Sequence, residues 1–270
     1  GLVVECGKAD SPGRPALYAT TELFLKSIGL SDLSQLPALA EEEPKETDEG
    51  EGIQKMKEVG YYNGKFGPLE EMQIPMLDRA CYFGDGVYDF SLAYNGKIFA
   101  LDEHVDRLYR SASMIEIEIP YTKAEMKAIL QEAVSRSEYE RVSVYWQVSR
   151  GTALRNHVFP DAGTKANLMI MVKPGSTPGE DARYKLITLE DTRYLHCNIK
   201  TINLLPSVMA AEKARRAGCD EAVLHRGDRV TECSHCNVHI LKNGVFRTAP
   251  ADRYILPGIA RRHLFDQCGV

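Results

Sequence analysis

Cys197-Asn198-Ile199-Lys200-Thr201-Ile202-Asn203-Leu204-Leu205 is the stretch on which the reading of this chain turns. Most lysines in the sequence sit in charged, water-facing helical patterns, whereas Lys200 lies between apolar residues just ahead of a helix signal. A lysine in such a place loses hydration, so its amine is more easily neutral and nucleophilic. That is the state Schiff-base chemistry with a carbonyl compound requires. The same local sequence also fits a snorkelling lysine at a strand end, with its stem buried and its amine in water. Partners elsewhere in the chain have to decide between the two.

Working outward, residues 204–217 read as a helix closed by Gly218, with strands near 184–189, 221–225, 229–233 and 236–241 around it. Further upstream, Asn63-Gly64 and Asn95-Gly96 each mark a tight hairpin, because both residues of such a turn need positive φ. Residues 102–115 carry Val105, Leu108, Ala112 and Ile115 on one helical stripe, and residues 122–136 open on a Thr122/Glu125 capping box. Val142, Val144, Trp146 and Val148 alternate as a half-buried strand, and 167–172 form another. Strands interleaved with helices give an α/β (α+β) body. The Pro/Gly/Ser run at 174–181 is its expected interdomain linker, between a small domain at 58–173 and a large domain at 182–270.

Ahead of that body, residues 40–57 are acidic. The run 41–51 (EEEPKETDEGE) holds seven acids and one lysine, so the formal −5 of the 270-residue chain is concentrated there and the remainder is near +1. This segment reads as a linker, and no basic tract points to nucleic acid. A hydrophobic content of 44% is globular, and no apolar run reaches membrane-spanning length. Seven scattered cysteines suggest a reducing, cytoplasmic setting rather than a disulfide framework.

Several side chains could carry chemistry. His104, Arg107 and Ser111 share one helix face, and an arginine there can hold a phosphate through two parallel hydrogen bonds; a surface arginine on an amphipathic helix has the same spacing. Glu232 stands in an otherwise apolar strand, where a buried carboxylate needs a cation or donor, although a solvated strand-end glutamate reads alike. Arg155 and His157 follow a strand and Gly151, and could converge on a carboxylate or simply decorate a polar loop. Cys233 and Cys236, with His235 and His239 near, invite zinc, but no second Cys/His pair supplies the remaining ligands. No metal is expected. Gly84-Asp85-Gly86 is too short for a dinucleotide fingerprint.

In order along the chain, Phe83-Gly84-Asp85-Gly86-Val87-Tyr88, Leu101 to Leu108 (LDEHVDRL), Arg150-Gly151-Thr152 with Arg155 and His157, Asn198 to Leu205 (NIKTINLL), Glu221 to Leu224 (EAVL) and Thr231-Glu232 resemble the branched-chain/D-amino-acid (class IV) aminotransferases. The likeness spans about residues 59–268, and the Arg155-x-His157 pair is similar to the feature that marks the D-amino-acid transaminases of the class. It implies a two-domain protein of fold type IV that uses pyridoxal 5'-phosphate. Lys200 would be the catalytic residue, forming the Schiff base and shuttling the proton. Glu232 would face the pyridine nitrogen and Arg107 the phosphate. Gly258 and Ile259 would add backbone N–H groups at a helix start, and Arg193, Ser234, His235, Cys236 and Leu256 would complete the cofactor's surroundings. Tyr88, Arg155 and His157 would take the substrate carboxylate. The expected partners are amino acids, 2-oxo acids and a second copy in a homodimer.

Four positions depart from the family pattern: His235 and Cys236 stand where serines are usual, Ala260 where a threonine is usual, and Asp89 where a glutamate is usual. The likeness also implies further strands and helices after residue 270, leaving the large domain incomplete here. Residues 1–39, through Pro12-Gly13-Arg14-Pro15 and Gly29-Leu30, resemble the end of segregation and condensation protein B. A winged-helix remnant is expected there, with a hairpin around Pro12-Gly13 and a short amphipathic helix. Competing readings are a branched-chain L-amino-acid aminotransferase, an aminodeoxychorismate lyase, and a chromosome-condensation adaptor with a non-catalytic body.

Overall fold

The computed structural model describes residues 3–8, 16–20, 55–179 and 181–268. The chain divides into two units, Gly1–Gly52 and Ile53–Val270. In the first, strands β1 (Val3–Lys8) and β2 (Ala16–Thr20) pair antiparallel with a register shift between Glu5 and Gly7. The expected turn at Pro12-Gly13 lies outside the described residues. The rest of the expected winged-helix remnant, including its amphipathic helix, and most of the acidic linker at 40–57 lie outside the described residues.

The second unit contains a six-stranded antiparallel sheet in the order β4-β3-β8-β7-β5-β6. Its strands are β3 (Val59–Tyr62), β4 (Lys65–Pro68), β5 (Gly86–Tyr94), β6 (Lys97–Ile98), β7 (Arg141–Ser149) and β8 (Asn167–Pro174). The two Asn-Gly pairs form the turns assigned to them: φ is 44° and 96° at Asn63-Gly64, and 46° and 75° at Asn95-Gly96. Between β4 and β5 lies a short helix, α1 (Arg79–Phe83), which the sequence reading does not contain. Asp78 Oδ1 caps its start through Ala80 N–H at 2.9 Å, and Gly84 at φ 59° closes it.

Two helices follow the hairpin of β5 and β6. In α2 (Leu101–Met114) the buried face carries His104, Val105, Arg107, Leu108, Ser111 and Ala112. In α3 (Lys123–Ser135) the Thr122/Glu125 capping box is present in both directions. Their apolar stripes pack with the sheet around Trp146, Leu108, Met126, Leu130 and Ile170, all almost wholly removed from water. Burial of this kind is the main favourable term in folding, roughly 25 cal/mol per Å² of apolar surface.

A second, three-stranded sheet has the order β11-β10-β9. Strand β9 (Leu186–Glu190) runs parallel to β10 (Glu221–Arg226), and β10 runs antiparallel to β11 (Arg229–Cys233). Parallel neighbours need a crossover, and here it contains helix α4 (Leu205–Arg216), whose Ala210 and Ala214 pack with Ala222 and Leu224. The strand expected over 236–241 begins later. Residues 234–236 bend away after β11, and β12 (His239–Lys242) pairs with β13 (Val245–Thr248) through a third Asn-Gly turn at Asn243-Gly244, φ 53° and 73°. Helix α5 (Ile259–Cys268) follows. Among the described residues no helix is long and apolar enough to cross a membrane.

Candidate active site

Lys200 sits in the crossover between β9 and α4, and a free strand edge fixes it. Strand β6 is short and pairs only with Ala93 and Tyr94, so the start of β5 has an open edge. Residues 200–202 occupy it. Tyr88 N–H donates to Lys200 C=O at 2.9 Å, and Ile202 N–H donates to Gly86 C=O at 3.1 Å. Only glycine fits at position 86, because a Cβ there would stand 2.6 Å from Val148 O. From α2, Ser111 Oγ accepts the Lys200 N–H at 3.2 Å.

The Lys200 amine lies 4.2 Å from the centroid of the Tyr88 ring, which itself stacks on Tyr145 at 5.3 Å. Lys200 is partly buried and lines a cavity. Burial, reinforced by the Arg107 cation, lowers the amine's pKa to about 8. The apolar setting read from the sequence is therefore real, and it makes the neutral amine accessible near physiological pH. Burial and the neighbouring Asp89 charge push the Tyr88 hydroxyl up, so it stays protonated and remains a donor.

Arg107 is more committed than its sequence setting indicates. Its Nε donates to Asp89 Oδ2 at 2.9 Å and its Nη2 to Asp89 Oδ1 at 2.7 Å. Asp89 is fully removed from water and also contacts His104 Nδ1 at 2.8 Å. Burial raises the Asp89 carboxyl, but the His104 and Arg107 hydrogen bonds outweigh it and hold the pKa low. Arg107 is left with Nη1, which reaches Pro257 C=O at 3.4 Å, next to Gly258 and Ile259 at the start of α5. Asp89 thus anchors the guanidinium through both oxygens.

Glu232 is 5% exposed and held from three sides. Arg193 Nη1 donates to Oε1 at 2.5 Å, Asn237 Nδ2 to Oε2 at 2.8 Å, and Leu256 N–H reaches both oxygens at 3.1–3.2 Å. Burial raises its pKa against the lowering pull of Arg193. Arg193 is itself clamped by Asp191 through two bonds of 2.9 Å. Asp191 is also buried, yet its hydrogen bonds from Arg193 bring its pKa to about 2. The solvated-glutamate alternative for Glu232 is therefore excluded, and Arg193 is its cation.

A cavity of about 800 Å³ brings together Tyr88, Arg107, Arg193, Lys200, Glu232, Ser234, His235, Cys236, Leu256, Gly258 and Ile259. Arg155 and His157 are not in its wall. They stand in the exposed loop after β7 and approach Phe83, with the Arg155 guanidinium 5.1 Å and the His157 ring 5.0 Å from that ring. His235 pairs with Glu221 at 2.7 Å, and Ser234 N–H donates to the same carboxylate at 3.2 Å. Among the described residues no group of three or more His, Cys, Asp or Glu side chains is arranged to hold a metal.

Three residues of this network have no role in the sequence reading. Asp89 could have been found, because it falls on the inward alternation Val87-Asp89-Ser91-Ala93 of β5, and an inward carboxylate demands a partner. Asp191 could have been read from its spacing to Arg193. Asn237 carried no signal.

Comparison with known proteins agrees with this geometry. Residues 86–270 match the family model for amino-transferase class IV, and residues 1–39 match that for the segregation and condensation complex subunit ScpB. A D-alanine aminotransferase of Listeria monocytogenes serotype 4b (strain F2365) is 42% identical over 198 residues, 72% of this chain and 68% of that protein. One from Staphylococcus haemolyticus is 38% identical over 204 residues, 75% and 72% of the two chains. Among solved structures, a branched-chain aminotransferase from Thermoproteus uzoniensis with norvaline superposes with a TM-score of 0.70 at 26% identity, covering 78% of this chain and 74% of that one. A second branched-chain amino acid aminotransferase, from the organism abbreviated T.th. and complexed with N-(5'-phosphopyridoxyl)-L-glutamate, gives 0.69 at 27% identity, covering 80% and 74%. With its lysine, carboxylate and arginine converging on one cavity and a family model covering the greater part of its length, the chain belongs to the class IV aminotransferases.

Proposed function

We propose that this protein transfers the amino group of D-amino acids such as D-alanine, D-glutamate or D-aspartate to 2-oxo acids, using pyridoxal 5'-phosphate. The observation that carries the reading is the convergence of a buried amine of lowered pKa and a clamped buried carboxylate on one cavity. Similarity to D-alanine aminotransferases at 38–42% identity supports the D-amino-acid assignment.

The residues present fit the cofactor. Glu232 has four lone-pair directions, and three donors from the protein leave acceptor capacity for a ring N–H. At Gly258 a Cβ would collide with Asn237 Oδ1, so the backbone there is kept bare beside the start of α5. Arg107 Nη1 and the first N–H groups of α5 suit a phosphate. Ser234, His235, Cys236 and Leu256 would close the same pocket, with Arg193 holding Glu232 in place.

When bound, pyridoxal phosphate supplies an aldehyde for the amino group and a ring that takes up the electron pair left at the substrate Cα. In our reading Lys200 Nζ removes and returns the proton at that carbon, which its pKa of about 8 suits. Glu232 keeps a negative charge facing the ring nitrogen, and Asp89 keeps Arg107 aimed at the phosphate. Tyr88 donates its hydroxyl to the substrate carboxylate, joined by Arg155 and His157. Those last two lie outside the cavity of a single chain, among exposed Leu154, Val158 and Phe159, which favours a homodimer in which a second copy brings them to the site. We further read 58–173 and 182–270 as small and large domains joined by 174–181, with the protein acting in the cytoplasm.

A second reading, a branched-chain L-amino-acid aminotransferase, is favoured by the solved structures, several of which are branched-chain enzymes. Paired-enantiomer assays with 2-oxoglutarate separate the two. Faster turnover of D-alanine than of L-leucine and L-valine is expected, and the reverse order would reassign the protein.

A further inference from the structure

The segment Cys233-Ser234-His235-Cys236 directly follows Glu232 and directly precedes Asn237, two residues joined by the 2.8 Å hydrogen bond that fixes the cavity's carboxylate. The family reading places Cys236 in the pocket wall but gives the two thiols no chemistry, and among the described residues no metal cluster absorbs them. Their backbone spacing suits a disulfide. Cys233 N–H donates to Cys236 C=O at 2.7 Å, closing the four residues into a tight turn. With standard bond lengths at either end, that contact limits the Cα–Cα distance to about 6.6 Å, inside the roughly 4.4–6.8 Å range of disulfides. Both side chains line the same cavity wall. Cys233 is buried and Cys236 exposed, so one sulfur is open to a reagent and the other waits behind it.

We propose that Cys233 and Cys236 are a redox modification site, oxidised to an intramolecular disulfide by low-molecular-weight disulfides such as oxidised glutathione, and that closing it loosens the grip on Glu232 and lowers cofactor affinity. The effect on affinity rests on the cofactor reading above; formation of the bond does not. The Cys236 thiolate attacks one sulfur of the reagent, whose S–S bond breaks and releases one thiolate. Cys233 then gives up its proton, its sulfur attacks Cys236, and the second half of the reagent leaves. Two cysteine sulfurs are oxidised, the reagent is reduced to two thiols, and a reducing thiol reverses the exchange. The neighbouring Cys233 thiol favours the Cys236 thiolate against burial and the Glu221 carboxylate, which the Cys236 Sγ approaches at 3.9 Å, while the same neighbour and burial hold the proton on Cys233. Drawing the sulfurs together to about 2.05 Å pulls position 236 inward, and Asn237 is the next residue.

The test is to treat the full chain with oxidised glutathione, map its peptides without reduction, and titrate pyridoxal phosphate before and after. A Cys233–Cys236 linkage with the mass of two hydrogens lost is expected, with cofactor affinity reduced roughly tenfold, equivalent to about 1.4 kcal/mol, and restored by dithiothreitol. Mapping is needed because Cys81 and Cys268 are also exposed thiols. In C236S the oxidised and reduced samples should bind the cofactor alike, whatever that affinity is. A glutathione adduct that persists on Cys236, or no linkage between the two, would overturn the site. A linkage that leaves affinity unchanged would overturn its effect on the cavity, and failure of reduced protein to bind the cofactor at all would instead count against the functional reading.

Discussion

Lys200→Met should make the cofactor-free protein more stable at neutral pH. Burial strips water from the Lys200 ammonium and the Arg107 cation repels it, so its pKa falls from 10.5 to about 8. One pKa unit corresponds to about 1.4 kcal/mol, so at pH 7, where folded and unfolded chains both carry the proton, keeping this charge costs the fold about 3 kcal/mol. Methionine is similar in length and needs no hydration. Between about pH 8 and 10.5 the unfolded chain still binds the proton while the folded one has released it. Wild-type stability therefore rises with pH, relative to the variant, by up to about 1.4 kcal/mol per unit, and the gap closes. Urea unfolding of both proteins at pH 7, 8, 9 and 10, without cofactor, measures it. A Lys200→Met protein no more stable than wild type at pH 7, or a gap that does not narrow with pH, would refute the claim that the site strains its lysine toward neutrality.

Glu232→Gln should leave pyridoxal phosphate bound, by absorbance, while turnover drops by about a hundredfold, because an amide no longer favours a protonated ring nitrogen; near-wild-type turnover would remove Glu232 from that role. Asp89→Asn strips Arg107 of its buried counter-charge, and breaking such a pair costs about 3–5 kcal/mol; a loss under about 1 kcal/mol in denaturant unfolding would show that the pair is not fixed in the way described. Arg155→Ala should raise KM for every substrate and erode the D preference together, by an amount set by one charged contact of roughly 1.5–3 kcal/mol; an unchanged enantiomer ratio in steady-state assays would separate Arg155 from the carboxylate.

Local features are the legible part of this chain. The Asn63-Gly64 and Asn95-Gly96 turns and the Thr122/Glu125 box each depend on a few adjacent residues, and each is present. The helix face that joins His104, Arg107 and Ser111 is likewise a matter of spacing, and all three are buried on it. The third turn, Asn243-Gly244, uses the same chemistry but is harder to read, because its flanking strands are short and half exposed. What sequence does not reveal is partnership across distance. Asp89 meets Arg107 from another element, 18 residues away, and Asn237 and Leu256 converge on Glu232 only after β11 bends and the chain returns through β12 and β13. Lys200 belongs to both groups. Its apolar neighbours are local, but its place against Tyr88 depends on the open edge of β5, which exists because β6 stops after two residues.

The central claim is that Lys200 is where the cofactor is joined to the protein. Loading the chain with pyridoxal phosphate, reducing with borohydride and sequencing the labelled peptide tests it most directly. The account predicts a single modified lysine at position 200, on the peptide containing Asn198-Ile199-Lys200-Thr201, and no stable label in Lys200→Met. A label on any other lysine, with Lys200 unmodified, would contradict it.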